Sequence, residues 1–175
     1  MMPIVRTARL AAVVIVTACS SSAPTAPNPR SEATFTINDA AVQALAAARS
    51  GWVFYKGRAD TLNRSQGSGH PEARLLTRYN AKAATQLDAG GKVRAGAVFP
   101  DSSIIVKDLI NGSSLVTVAV MMKLPKSPQA TPDGWVWTEY RASGAVVASV
   151  AARGQGCIGC HGSGIDFTRM NDSQP

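Results

Sequence analysis

The chain has 175 residues, of which 45% are hydrophobic and 17% charged, and 18 lysines and arginines against 11 acidic residues give a formal net charge of +7. This length suits one domain with its own core, and the composition is not that of a disordered chain. Basic residues are scattered singly and are not interleaved with aromatic residues, which argues against nucleic-acid binding.

The N-terminus has the pattern of an export signal. Two arginines precede an uncharged apolar run, residues 10–18, that is too short to span a bilayer as a mature helix. Residues 16–19, Val-Thr-Ala-Cys, resemble a bacterial lipobox. We therefore predict a lipoprotein-type signal peptide over residues 1–18 and a lipid anchor on Cys19, which would hold the protein on the periplasmic side of a bacterial membrane. An ordinary secretory signal, with Cys19 lost or left free, is the alternative.

Residues 19–33 are rich in serine and proline and show no apolar periodicity. This composition is typical of an extended, flexible tether. The folded domain is therefore predicted to span residues 34–175.

The first predicted element of this domain is a helix. Residues 36–39, Thr-Ile-Asn-Asp, form a capping sequence, and the alanine-rich stretch that follows runs to Arg49. We expect Ala41, Leu45 and Ala48 to face the core.

The later elements are mostly strands. Asn111-Gly112, between two apolar segments, is the strongest hairpin signal in the chain. No long crossover helix separates neighbouring strands, so we predict an antiparallel sheet and an α+β fold in which strands predominate and the few helices are short. The predicted elements are a strand at 52–55, a polar loop at 57–71, a strand at 74–79, a short helix from Asn80 to near Gly90, hairpin strands at 103–110 and 114–124, and a further strand pair at 134–141 and 145–150.

The most specific pattern lies near the C-terminus, where Cys157, Cys160 and His161 form a Cys-X-X-Cys-His sequence. This is the attachment signature of haem c. Two thiols about one helical turn apart can add to the two vinyl groups on one edge of the porphyrin, and the adjacent imidazole then lies under the iron. Attachment takes place outside the cytoplasm, which agrees with the export signal. We therefore predict one covalent haem c with His161 as an axial iron ligand.

Two other interpretations of the cysteine pair are weaker. A thioredoxin-like redox pair normally follows a strand and opens a long helix, whereas four glycines lie within this segment. A structural zinc site needs four ligands, and beyond the motif only His70 remains as a nitrogen donor.

Four segments of the chain together resemble a known family. They are residues 99–107 (Phe-Pro-Asp-Ser-Ser-Ile-Ile-Val-Lys), 135–140 (Trp-Val-Trp-Thr-Glu-Tyr), 157–161, and 166–169 (Asp-Phe-Thr-Arg). Their order, with the haem motif after an antiparallel sheet, is similar to that of the cytochrome P-460 family, which includes the cytochromes c′-beta. The resemblance covers most of the predicted domain, from about residue 52 onward.

The resemblance implies a β-rich fold, often dimeric, with His161 as proximal ligand and the opposite haem face open to a small nitrogen-containing ligand. In the hydroxylamine-oxidising members, the lysine matching Lys107 is covalently bonded to the porphyrin. A lysine in an apolar pocket loses its proton more easily and becomes a nucleophile. Those members also place an arginine and a carboxylate on the distal side, for which Arg74 or Arg78 and Asp166 are the candidates here.

The sequence does not decide whether the Lys107 side chain points towards the core or towards solvent. Lys107 and its neighbour Asp108 lie on opposite faces of the predicted strand, and each shares its face with apolar residues, so alternation does not decide which charge points inward. A surface lysine on an edge strand is the alternative.

Other side chains are candidates for a sixth iron ligand. His70, the only other histidine, precedes Pro71 in a polar loop where exposure is expected. Met121, Met122 and Met170 are further candidates, although methionines in a strand more often belong to the core.

Three functions are compatible with these predictions. Oxidation of hydroxylamine would need the Lys107 cross-link and a distal carboxylate. Binding of nitric oxide would need an open iron site in an apolar pocket. Electron transfer to a redox partner protein, with the domain held at the membrane by Cys19, would need a second strong ligand such as His70. The interpretation that we favour is a haem c protein that binds and oxidises small nitrogen compounds.

Overall fold

The computed structural model describes residues 36–48 and 50–169, all within a unit that spans residues 33–175. The predicted signal peptide, the tether, the Cys19 anchor and Met170 lie outside the described residues. None of the described helices is both long and apolar enough to cross a membrane.

A seven-stranded sheet forms the centre of the described fold. Its strands follow the order β1-β3-β4-β5-β6-β7, with β2 paired to β3, and neighbouring strands run antiparallel throughout. The prediction of a strand-dominated antiparallel fold with short helices is therefore confirmed. The strands are β1 (Val53–Phe54), β2 (Leu62–Asn63), β3 (Arg74–Tyr79), β4 (Ile104–Asn111), β5 (Ser114–Lys123), β6 (Trp135–Arg141) and β7 (Val146–Ala148). The helices are α1 (Asp39–Ala47), α2 (Ala81–Ala84) and α3 (Ile158–His161), with 3₁₀ turns at Tyr55–Gly57 and Val150–Ala152.

The hairpin predicted around Asn111 is β4–β5. Asn111 pairs with Ser114, so the two central residues of the turn are Gly112 and Ser113 rather than Asn111 and Gly112. Gly112 has φ +58°, a conformation that glycine adopts without a side-chain clash. The hairpin places long strands in the middle of the sheet, where both faces are available for packing.

Helix α1 begins as predicted but buries a partly different face. Asn38 caps it, with its side-chain oxygen accepting a hydrogen bond from the backbone N–H of Ala41 at 2.9 Å. Val42 and Ala46 are buried and Ala41 packs against their cluster, as predicted for Ala41. Leu45 is 46% exposed and Ala48 is exposed, so the prediction was wrong for these two residues. An alanine-rich helix has small apolar residues on several sides, and the valine-lined sheet face selects the side that carries Val42.

The two charges on β4 point to opposite faces of the sheet. Asp108 lies on the α1 side, where it is 5% exposed and forms an ion pair with Arg78. Arg78 also donates a hydrogen bond to the Ala46 carbonyl of α1 at 2.7 Å. Lys107 lies on the other face, with Ile105 and Leu109. Both charges therefore point inward, because both faces of the sheet are covered.

Candidate functional site

A cavity of about 280 Å³ opens on the sheet face opposite α1. The sheet forms its floor, the loop before β3 forms one wall, and the segment around α3 forms another. The principal lining residues are Ser65, Ser68, His70, Leu75, Ile105, Lys107, Ala119, Met121, Trp137, Glu139, Cys157, Cys160, His161 and Arg169. The cavity thus unites residues from distant parts of the chain.

The floor of the cavity consists of two rows that run across the strands. Ile105, Met121 and Trp137 are cross-strand partners and form an apolar row. In the next row, Lys107 pairs with Ala119, and Ala119 pairs with Glu139. The small side chain of Ala119 leaves room between the lysine and the glutamate. A single cavity therefore has an apolar half and a charged half.

The two cysteines of the motif both line this cavity and are free thiols. They lie on one helical turn, since the backbone N–H of His161 donates to the Cys157 carbonyl at 3.0 Å. Burial, together with the nearby Glu139 carboxylate, raises the pKa of the Cys157 thiol. Both sulfurs are thus presented to the same space as His161.

His161 is held in one tautomer. Its Nδ1 lies 2.8 Å from the Phe167 carbonyl oxygen, which can only accept, so Nδ1 carries the proton. Burial lowers the pKa of His161 to about 4, against the opposing effect of that carbonyl, so the ring is neutral at neutral pH. Trp137 packs against the ring in a T-shaped arrangement at a centroid distance of 4.9 Å. Nε2 therefore keeps a lone pair that can bind a metal ion.

A tight turn supplies the carbonyl that orients His161. The Thr168 N–H donates to the Ile165 carbonyl at 2.8 Å, and both central residues, Asp166 and Phe167, have positive φ, at +43° and +64°. This conformation is unusual for a bulky residue such as phenylalanine and costs free energy. The neighbouring packing must therefore stabilise the turn.

We expect Gly164→Ala to open this turn, because a β-carbon at position 164 would overlap the Thr168 carbonyl oxygen. The clash is with backbone, so we expect the free energy of unfolding to fall by about 1–3 kcal/mol or more. Gly159→Ala is the matched control, since a β-carbon there meets nothing within 4 Å. Urea unfolding of both variants tests the prediction, and equal stabilities would contradict it.

Lys107 lies in the cavity floor and is half-buried. Burial, with a smaller contribution from Arg169, lowers the pKa of Lys107 to about 8, while Glu139 opposes that shift. A pKa of about 8 leaves about a tenth of the Lys107 amine neutral at pH 7, and the neutral form is the nucleophile.

His70 also lies in the cavity, paired with a carboxylate. Its Nδ1 is 3.0 Å from Oε1 of Glu139, and both side chains are 23% exposed. The expectation that His70 would be solvent-exposed in a polar loop was wrong, because the loop folds over the cavity and brings His70 against β6.

Asp166 lies outside the cavity lining, so the structure does not support its prediction as a distal carboxylate. Its side chain accepts hydrogen bonds from Lys123 Nζ at 2.9 Å, from the Phe99 backbone N–H at 2.8 Å and from Trp135 Nε1 at 3.2 Å. The carboxylate is thus used to fix the segment after His161 onto the sheet.

The two arginine candidates also lie away from the cavity. Arg74 is exposed and pairs with Ile110 near the hairpin turn. Arg78 faces α1 on the opposite side of the sheet. Of the methionines, Met121 lines the cavity and Met122 packs in the core beneath α1.

Two residues that the sequence left without a role are Trp137 and Glu139. Strand alternation from Trp135 would have placed both on one face of β6. It would not have shown that this face meets His161 and His70, because those contacts join segments far apart in the chain.

The alternative interpretations of the cysteine pair find little support. Helix α3 has four residues and follows a 3₁₀ turn rather than a strand, unlike a thioredoxin-type site. In the part of the chain that the structure describes, no three His, Cys, Asp or Glu side chains lie close enough together to hold one zinc ion.

The chain matches no protein-family model, no curated protein and no solved structure. The resemblance to the cytochrome P-460 family therefore stays a prediction.

Proposed function

We propose that this protein is an exported, monohaem c-type cytochrome that binds and oxidises small nitrogen compounds, such as hydroxylamine, in the cavity described above. The observation that carries the proposal is the convergence of two free thiols and a neutral imidazole on one cavity. The proposal includes a lipid anchor on Cys19 and a redox partner protein that takes up the electrons. A homodimer is implied by the resemblance alone.

The donor set and the cavity fit a haem group. Cys157 and Cys160 would hold the porphyrin through two thioether bonds, and His161 Nε2 would bind the iron. The apolar row of the floor would give the macrocycle an apolar surface, and Trp137 packs against the imidazole of His161. When bound, haem would supply an iron centre for one-electron chemistry and ligand binding.

The remaining cavity residues define what the chain itself contributes. The Phe167 carbonyl keeps the proton on His161 Nδ1, so that Nε2 stays available. The apolar row lines one side of the cavity, while Lys107 and Glu139 provide charge on the other. These charged side chains suit a small polar ligand, because both can form hydrogen bonds to it.

The proposal is tested with the full chain expressed in a host that matures c-type cytochromes. We expect the denatured protein to retain haem, with a mass increase of one haem per chain, and the native protein to show reduction of its iron when hydroxylamine is added. Retention of haem without any reaction with hydroxylamine would favour nitric oxide binding instead. Absence of covalent haem would overturn the proposal.

Lys107→Ala tests the cross-link that the resemblance implies. We expect the reduced wild-type protein to have a broad, red-shifted Soret band and Lys107→Ala to have an ordinary c-type spectrum, because loss of the amine removes the bond to the porphyrin ring. Lys126→Ala, at an exposed lysine away from the cavity, is the control. Identical spectra for the wild type and Lys107→Ala would show that Lys107 forms no cross-link.

A further inference from the structure

The two histidines of the chain line the same cavity, and each is held through Nδ1. His161 donates to a backbone carbonyl, whereas His70 is paired with the Glu139 carboxylate at 3.0 Å. A carboxylate can only accept, so Nδ1 of His70 carries the proton and, in the neutral ring, Nε2 holds a lone pair. The cavity therefore contains a second oriented imidazole beyond the one assigned to the iron.

We propose that His70 is the proton acceptor for protic ligands that enter the cavity, and that Glu139 is its positioning residue. The inference rests on the proposed function, because it concerns the ligand that shares the cavity with the haem. The expected ligands are small molecules with an ionisable proton, such as hydroxylamine or hydrogen cyanide, and not gases without one, such as nitric oxide.

The proposed step is a proton transfer without a change in oxidation state. The N–H, O–H or C–H bond of the entering molecule breaks, its electron pair stays on the ligand, and the proton moves to Nε2 of His70. The ligand is then held as its conjugate base, and His70 becomes an imidazolium. Carboxylate–imidazole pairs of this kind act as general bases in many enzymes.

The charges around His70 favour this step. Glu139 lies 3.0 Å from His70 Nδ1, and the positive charges of Lys107 and Arg169, which line the same cavity, attract an anionic conjugate base. His70 is further positioned by its own loop, since its backbone N–H lies 3.3 Å from Ser68 Oγ and its carbonyl accepts from Arg64 at 3.2 Å. The loop thus holds the backbone of His70, and Glu139 holds its imidazole at Nδ1.

The test compares two ligands of the ferric holoprotein. Hydrogen cyanide must lose a proton to bind as cyanide, whereas nitric oxide has none to lose. We expect His70→Ala to lower the association rate constant for hydrogen cyanide by about 10²-fold, in the range typical of general-base catalysis, and to leave that for nitric oxide unchanged. His70→Gln, which keeps hydrogen bonding but not basicity, should behave in the same way. Glu139→Gln should give a smaller loss, because its amide oxygen still orients the ring but carries no charge.

Gln66→Ala, at an exposed position of the same loop that is not among the cavity-lining residues, is the control and should bind both ligands at wild-type rates. Haem content and circular dichroism establish that each variant is folded and loaded. Equal rate constants for wild type and His70→Ala, or equal slowing of both ligands, would overturn the inference while leaving the haem assignment intact. A low-spin wild type that becomes high-spin in His70→Ala would also overturn it, by showing that His70 is the sixth iron ligand. Absence of haem from the wild type would overturn the proposed function itself.

Discussion

Replacement of both motif cysteines is expected to abolish haem attachment. A Cys157→Ala/Cys160→Ala chain should leave the maturation host with no haem that survives denaturation, because both sulfurs that line the cavity are gone. Each single variant should retain less haem than the wild type, since one thioether bond remains available. Haem-dependent peroxidase staining of denatured gels, together with intact mass, measures the effect.

Cys19→Ala is the matched control for this prediction. It removes the third cysteine of the chain and should abolish the lipid anchor without reducing haem content. If the double variant retains covalent haem, or if Cys19→Ala loses it, the assignment of Cys157 and Cys160 is wrong.

Asp166→Ala is expected to cause a large loss of stability. It leaves the Lys123 ammonium, whose side chain is 10% exposed, without its carboxylate partner. It also removes the acceptor for Phe99 N–H and Trp135 Nε1. Removal of one member of a buried ion pair typically costs about 3–5 kcal/mol, because the remaining charge stays buried. The midpoint of urea unfolding at constant slope measures the change.

Three comparisons make the Asp166 prediction specific. Asp166→Asn should cost less, because an asparagine still accepts hydrogen bonds and tolerates positive φ. Lys123→Met combined with Asp166→Ala should recover part of the loss, since no charge is then left buried. Asp101→Ala, at an exposed carboxylate, should have little effect. If Asp166→Ala were as stable as Asp101→Ala, Asp166 would not be the residue that fixes the segment after His161 onto the sheet.

Much of the fold could be predicted from local patterns. Strand β3 spans the predicted residues 74–79, and the β4–β5 hairpin surrounds the predicted turn. Hairpins and short strands depend on residues close in the chain, so the amino acids that specify them are adjacent in the sequence. The inward face of α1 was mispredicted in part because it depends on the sheet that the helix packs against.

Some residues of the candidate site could likewise be predicted from local patterns, whereas others could not. The Cys-X-X-Cys-His pattern could be recognised from five consecutive residues, because the spacing of two thiols and an imidazole is itself a local property. The residues predicted to lie on the distal side of the haem could not be identified in this way. Asp166 was expected near the haem and instead binds Lys123, whereas His70 was expected in solvent and instead pairs with Glu139.

The sequence alone determined the strand-dominated architecture, the hairpin and the Cys-X-X-Cys-His pattern, because each depends on short-range spacing. Only the tertiary structure decided that Lys107, Glu139 and His70 share a cavity with His161. These residues come from β4, β6, a loop and the C-terminal segment, and their proximity depends on cross-strand register and on how the loop folds over the sheet. Long-range packing of this kind leaves no pattern in neighbouring residues. The grouping of these side chains in one cavity could therefore be identified only from the tertiary structure.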